Sequence, residues 1–455
     1  MKKIRIKTIT MLVMCCFLVL LLGCHKNSGE NEFTSGSEQK DYNGNKAIVH
    51  GFEGNDKGYY YLANEILYFY DIANDISMPM CSRTECTHLS ENCDAYARDN
   101  YLDNDFSWIC DGKELMLYND SLYMVEHSKE NGYYLVKYDI SYNNKETVVQ
   151  LSDFQNKSQI LCANGSYAIY NSYFYYCVDN YSEAAIKDDY IFKVHCMRVK
   201  MEKDAVPEYL GEFNYPGDYV AEAGKSAGIS VLCHNDNVYY FASGYRRMWV
   251  HQNVEQCAIM KYNTKTAEFK NMYSSASGWD SGISKIKGSD DNTCIDKNGI
   301  IYAISDETNI VAINVETGEK KKIYSFTYSD LGDTLCSLAY DGQYLYFIAN
   351  QASTLSMATY IKAIDTTGKE VASHKLKVNG HRDKNGNVQV TGELEILGLD
   401  NRNIVVLSKS PAYEGLSTDK KQPIGEGIKD CGVGLIPLSG FLEGKDITIK
   451  QIYKY

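Results

Sequence analysis

From about residue 48 onward the chain alternates short apolar runs with polar pairs, at a spacing too tight for helices. The runs are aromatic or β-branched, as in EILYFYDIA, YFYYCVD, NVYYFA and QYLYFIA. Between them stand ND, NG or DG pairs, residues that tolerate the left-handed backbone of tight hairpins. Large apolar side chains on strands bounded by such turns predict an all-β fold.

One phrase recurs along the chain. NDSLYMVEH leads to YYLVKYDISYNNKETVVQL, NDNVYYFAS to AIMKYNTKTAEFKNMY, KNGIIYAIS to NIVAINVETGEKKKIY, and DGQYLYFIA to TYIKAIDTTGKEVASHKL. Each unit holds four strands joined by hairpins, and a four-stranded antiparallel unit repeated radially is a blade of a β-propeller. Units at 48–80, 112–151, 165–213, 229–273, 292–326, 335–378 and 392–455 predict seven blades. The irregular third and seventh units also admit six or eight. Because the first and last units each hold four strands of their own, ring closure is expected to rest on packing between blades 1 and 7 and not on a shared strand. The 39 tyrosines fall mainly in the strands, where a side chain apolar along its length and polar at its tip suits a sheet sandwiched between neighbours. They are expected to be core and not a binding motif.

The N-terminal stretch breaks this pattern. MKKIRIK is basic, TITMLVMCCFLVLL is apolar but too short for a spanning helix, and LLGC follows. Leu21-Leu22-Gly23-Cys24 resembles a bacterial lipobox, which implies a signal peptide over 1–23 and lipid on the Cys24 thiol. Two acyl chains, palmitate-like in length, anchor a protein stably where one binds marginally. Residues 25–47 have almost no apolar content and are expected to be a flexible tether reaching about 25 Å, with the propeller over 48–455. The expected location is extracytoplasmic, lipid-anchored to the cell membrane. The formal net charge is −13, and removing 1–23 takes away four basic side chains and no acidic one. Nucleic acid is therefore excluded as a partner on electrostatic grounds.

In a propeller, the connection between the second and third strands of a blade and the connection to the next blade emerge on one face. Inserts at 179–189, 243–255, 350–358 and 409–431 are expected there, and long loops on a rigid scaffold are where binding residues concentrate. All three tryptophans fall in such connections: Trp108, Trp249 and Trp279. Tyr245, Arg246 and Arg247 accompany Trp249, and Asp280 accompanies Trp279. Flat aromatic faces with a few charges suit a glycan, a peptide or a protein surface, although aromatic residues in loops also serve simply as loop cores.

The NVETGEK and DTTGKEV turns, together with the lipobox and tether, resemble bacterial β-propeller lipoproteins with TolB-like, PQQ-binding-like and DUF5050-type repeats. The resemblance implies a membrane-anchored propeller over nearly the whole mature chain. The tryptophans that punctuate PQQ-enzyme blades are missing, which counts against a quinone cofactor.

Twelve cysteines follow Cys24, and many sit in apolar strands, where a thiol packs as a small hydrophobe. CSRTECTHLSENC differs. Cys81, Cys86, His88 and Cys93 supply three sulfurs and an imidazole within one short loop, the ligand set of a structural zinc and also acceptable to copper(I). A disulfide Cys86–Cys93 with His88 incidental, or three free thiols, accounts for the same residues. Four protein ligands leave no open position, so a catalytic metal is disfavoured. His127, His195, His234 and His251 show no catalytic spacing. The function expected is a binding module acting through the loop-rich face, the alternative being a polysaccharide lyase or hydrolase on the same scaffold.

Overall fold

The computed structural model describes residues 52–63, 66–88, 92–97, 115–128, 132–140, 144–151, 159–161, 167–180, 193–214, 228–247, 253–274, 286–287, 293–305, 308–326, 334–352, 357–376, 381–382, 388–389, 394–408, 432–445 and 449–454. They form seven four-stranded antiparallel blades in a ring. Blade 1 is β1 (Phe52–Gly54), β2 (Gly58–Ala63), β3 (Ile66–Asp71) and β4 (Ile76–Pro79), and blade 2 is β5 (Met116–Tyr118), β6 (Ser121–Ser128), β7 (Gly132–Asp139) and β8 (Asn144–Gln150). A short β9 (Gln159–Leu161) adds to blade 3, made of β10 (Ala168–Tyr170), β11 (Tyr173–Asn180), β12 (Lys193–Lys200) and β13 (Glu208–Asn214). Blade 4 is β14 (Gly228–His234), β15 (Asn237–Arg247), β16 (Asn253–Asn263) and β17 (Phe269–Ser274). Blade 5 has β18 (Ile286–Lys287) and β19 (Thr293–Ile295) both against β20 (Ile300–Ser305), followed by β21 (Asn309–Asn314) and β22 (Lys320–Ser325). Blade 6 is β23 (Thr334–Tyr340), β24 (Tyr344–Ala352), β25 (Met357–Asp365) and β26 (Glu370–Leu376). The pair β27 (His381–Arg382) and β28 (Val388–Gln389) precedes blade 7, which is β29 (Leu394–Leu399), β30 (Asn403–Ser408), β31 (Gly432–Pro437) and β32 (Lys450–Lys454), with a short helix α1 (Leu438–Leu442) before its last strand.

Strands that are apolar on both faces need a partner on both faces, and the ring supplies one. Each pair of neighbouring blades shares its own core cluster, from Tyr60, Leu62, Leu122 and Met124 between blades 1 and 2 round to Tyr59, Tyr61, Val405 and Leu435 between blades 1 and 7. The expectation for the tyrosines holds: Tyr59, Tyr60, Tyr61, Tyr175, Tyr176, Tyr239, Tyr240 and Tyr346 are essentially fully buried. Several hydroxyls tie a strand to a turn, Tyr346 donating to Asp341 Oδ2 at 2.7 Å and Tyr302 to Asp296 Oδ2 at 3.2 Å.

The turns follow from side-chain oxygens that stand in for backbone acceptors. In blades 4, 5 and 6 the turn into the outer strand is the same device: Asn263, Asn314 and Asp365 each accept from two backbone N–H groups further along the turn. The turns at 119–120 and 171–172 put both central residues at positive φ, as tight hairpins require.

Blades 1 and 7 each own all four strands, and the junction between them is made by side chains. Tyr59 donates its hydroxyl to Asp400 Oδ2 at 2.6 Å and accepts from Asn403 Nδ2 at 2.8 Å. Arg402 donates to the carbonyls of Asn55 and Asp56 at 2.8 and 3.1 Å, stapling the first turn of blade 7 to that of blade 1. At the outer strands, Ser77 Oγ donates to the Ile452 carbonyl at 2.7 Å and Lys450 Nζ lies 2.8 Å from Asp75 Oδ1.

Two expectations about inserts need correction. The stretch 243–255 is mostly strand, with Tyr245, Arg246 and Arg247 paired to Glu255, Val254 and Asn253. Likewise Asn350 to Ala352 belong to β24, paired with β25. Polar side chains suggested loops in both places, but ladder bonds join backbone groups and do not require apolar side chains.

Candidate functional site

Past β4 the chain turns at once, the Cys81 N–H donating to the Pro79 carbonyl at 2.8 Å. A second turn follows, closed by Cys86 N–H to the Arg83 carbonyl at 3.2 Å, and His88 then takes a left-handed φ of 56°. That conformation is uncommon for a side chain with a Cβ and more frequent for histidine than for most. Cys93 lies close to Cys81, beside the point where the chain left β4. Cys93 is buried, and the segment behind it packs into the core shared by blades 1 and 2 through Ala95 and Ala97. Leu67 N–H donates to the Ala95 carbonyl at 2.8 Å and Ile66 pairs with Tyr96, so residues 92–97 lie along the start of β3 beyond the end of β4.

This path brings together all four residues singled out in the sequence. One ligand atom each from Cys81, Cys86, His88 and Cys93 lies within 4.8 Å of every other, and His88 Nδ1 stands 3.4 Å from Cys93 Sγ. Metal–ligand bonds of about 2.0–2.3 Å in a tetrahedron place ligand atoms about 3.5–3.8 Å apart, so the set needs an inward movement of only about half an ångström to close on a cation. All three sulfurs are free thiols here, whereas a disulfide brings sulfurs to about 2.05 Å. Among the described residues no other three His, Cys, Asp or Glu side chains converge in this way.

The surroundings favour sulfur anions at one end of the cluster. Burial raises the Cys81 thiol, but N–H groups of Arg83 and Asp94 and the neighbouring thiols outweigh it and hold the group below the ordinary cysteine range. Cys93 is pushed up to about 12 by burial, against an opposing N–H from Ala95. Arg83 donates to the Cys81 sulfur and lies 3.3 Å from Asp94 Oδ2. On the far side the Tyr96 carbonyl accepts from Lys145 Nζ at 3.0 Å and from the Tyr138 hydroxyl at 3.3 Å. Both also contact the buried Glu126, Lys145 at 2.6 Å and Tyr138 at 2.9 Å. Arg83, Asp94, Glu126, Tyr138 and Lys145 had no signal of their own in the sequence. An N–H two residues beyond Cys81 and another two beyond Cys93 reach the sulfurs.

The other candidates lie elsewhere. Cys24, Trp108, Trp249, Trp279 and Asp280 are outside the described residues. Tyr245, Arg246 and Arg247 form the end of β15, on the arm of the long β15–β16 hairpin. The strand ends that flank 181–192, 248–252, 353–356 and 409–431, and the end of β4 where the cysteine segment begins, all lie on one face. On the opposite face, blades 1 to 7 are joined within themselves by tight turns such as 55–57, 119–120, 235–236 and 400–402, the main exception being 438–449 with α1.

No protein-family model matches the sequence, and no curated protein does either. Structural neighbours are β-propeller proteins. A prolyl endopeptidase is similar at a TM-score of 0.46 and 10% identity, over 90% of this chain and 50% of that one, so the chain spans about half its length. An ulvan lyase, a polysaccharide lyase, is similar at 0.45 and 10%, over 82% of this chain and 92% of that one. A quinoprotein alcohol dehydrogenase-like protein of Bacteroides thetaiotaomicron is similar at 0.34 and 13%, over 70% and 76%. The seven-bladed assignment rests on the sheets of this chain, and no functional residue is carried over from these neighbours.

Proposed function

We propose that the protein is an extracytoplasmic binding module, held at the cell membrane by lipid on Cys24, that offers the loop-bearing face of a seven-bladed propeller to a glycan, peptide or protein partner. The observation that supports this reading is the asymmetry between the two ends of the blades. One end is closed mostly by tight turns, several of whose side-chain oxygens cap backbone N–H groups, while the strands at the other end lead into the connections 181–192, 248–252 and 409–431 and carry the β15–β16 arm. Long segments on a rigid frame are the usual place for recognition. Trp108, Trp249, Trp279 and Asp280 belong in sequence to the connections of that face, beside Tyr245, Arg246 and Arg247 on the arm. An acidic chain directs this face toward neutral or cationic partners and away from nucleic acid.

The test uses the lipidated chain in detergent micelles on glycan and peptide arrays, with Trp249→Ala and Trp279→Ala alongside. Specific binding that both substitutions weaken supports the module. No ligand on any array, together with unaltered behaviour of both variants in cells, would sink it, and turnover of a polysaccharide in the same screen would establish the enzymatic alternative. Anchoring is tested separately: Cys24→Ala should abolish incorporation of labelled palmitate and membrane retention. Retention of the variant in the membrane pellet would contradict a lipid anchor.

A further inference from the structure

We propose that Cys81, Cys86, Cys93 and His88 form a closed, four-ligand zinc site that staples the segment after β4 to the junction of blades 1 and 2. The inference is independent of what the loop-bearing face binds, because it concerns the metal content of the chain itself.

Convergence is the first argument. Four soft or borderline donors from thirteen consecutive residues lie within 4.8 Å of one another, and His88 Nδ1 and Cys93 Sγ, at 3.4 Å, stand close to the edge length of a tetrahedral site. His88 and Cys86 are separated by one residue, and both reach the common point with the chain at His88 in a left-handed conformation, φ 56°.

The second argument is the shell around the donors. A divalent zinc with three thiolates and a neutral imidazole carries one net negative charge, which a partly buried loop must offset. The Cys81 sulfur receives N–H groups from Arg83 and Asp94 and the guanidinium of Arg83, and the Cys93 sulfur receives the Ala95 N–H. Donors already aimed at sulfur suit thiolates bound to a cation better than a disulfide, whose sulfurs are neutral and weak acceptors. Asp94 in turn holds Arg83 at 3.3 Å, with the same oxygen 3.9 Å from the Cys81 sulfur, so the guanidinium is oriented toward the cluster.

The third argument is position. Cys81 follows β4 of blade 1 directly, and Cys93 leads into Ala95 and Ala97, which are fully buried in the core shared with blade 2. A cation bridging the two ends of this loop fixes where the chain re-enters that core. With four protein donors it leaves no position for substrate, so its role is structural.

The test is metal analysis of the full-length lipidated chain, purified without chelators, beside His88→Ala, His88→Cys and Arg83→Ala. The expected result is about one zinc per chain in the parent, near zero in His88→Ala after dialysis, and recovery in His88→Cys, which restores four donors. Arg83→Ala should keep the stoichiometry but weaken zinc affinity about 10- to 100-fold in a competition titration, as expected for a group that touches only a ligand. Cobalt(II) exchanged into the parent should give the intense visible bands of a tetrahedral thiolate complex, a readout that survives if a variant misfolds. A Cys86–Cys93 disulfide found by peptide mapping, three alkylatable thiols with no metal, or stoichiometric copper in place of zinc would each overturn the proposal.

Discussion

Four side chains spread over thirteen residues face one point only if the loop between them reverses, and the chain at His88 takes a left-handed φ of 56°. The four donors were legible as a set because sulfur and imidazole are rare and crowded there, but their convergence was not, since the path of the whole loop decides it. Neighbouring contacts were less legible still. Glu126, 1% exposed, is held by Lys145 at 2.6 Å and Tyr138 at 2.9 Å, although 19 residues of sequence and two turns separate the first pair. Replacing Lys145 by Met strands that carboxylate. The expected loss is about 2–3 kcal/mol in urea unfolding, below the usual range for a broken buried pair because Lys145 is itself partly solvated. Adding Glu126→Gln to the same chain should restore part of the loss, and no recovery would mean that packing and not charge is responsible. Asp75 and Lys450 at the ring junction give a pH signature. Hydrogen bonds from Lys450 and Tyr70 hold Asp75 below the ordinary carboxylate range, and Asp75 and Tyr70 raise Lys450. A depressed carboxylate contributes stability above its unfolded pKa of about 3.9 and loses it as pH falls through the folded value. The raised ammonium contributes below its unfolded pKa of about 10.4 and loses it as pH rises further. The Tm of Asp75→Asn should therefore fall below that of the parent near neutral pH and merge with it in acid. A gap that persists in acid would exclude the ion pair as its cause.

At the level of the elements, the blades were readable because local chemistry and tertiary environment agree. The NTKTA, NVETG and DTTG stretches each begin with an Asn or Asp whose oxygen closes the turn, so turn and strand boundaries coincide with a sequence mark. The expected and observed blade limits differ by only a few residues for that reason. A feature without such a mark went unread. In six of the seven blades the ladder between the third and fourth strands shifts register, as at Leu135/Val136, Ile259/Met260 and Val433/Gly434. A bulge of this kind increases strand twist, and its position depends on the whole sheet and not on a residue type. Glycines at two equivalent-looking turns separate local strain from contact. Gly368, φ +93°, faces the Ile323 carbonyl of blade 5, which an added Cβ would meet at 1.8 Å, whereas Gly342, φ +100°, has open space. Gly368→Ala should cost about 3 kcal/mol or more, because backbone of the next blade must move. Gly342→Ala should cost about 1–2 kcal/mol from the left-handed conformation alone. Equal thermal shifts in the two variants would show that the interblade contact is soft.

At the scale of the molecule, the described residues form a closed series of nearest-neighbour interfaces, each with its own apolar cluster, and one of them joins residues more than 300 positions apart. The expectation that this junction would hold without a shared strand followed from counting strands at both ends. The network that makes it, Tyr59 with Asp400 and Asn403 and Arg402 on the carbonyls of Asn55 and Asp56, could not be read from residues that look like ordinary turns. In such a series a local defect is felt mainly by its neighbours. Arg402→Ala should accelerate amide exchange in β1–β4 and β29–β32 while leaving β10–β17 nearly unchanged. Uniform acceleration in all seven blades would instead make the ring one cooperative unit.

Because every blade is contiguous in the sequence, no strand of blade 1 has to wait for the C-terminal residues to be synthesised. As the chain is made, each sheet can complete itself in order and dock on the one before it, with low contact order until the last step. Only the seal between Arg402 and the first turn of blade 1 depends on both ends being present. A truncated nascent chain is then an open arc with an apolar flank on blade 1, and completing the ring is the event that removes a sticky surface from the growing protein.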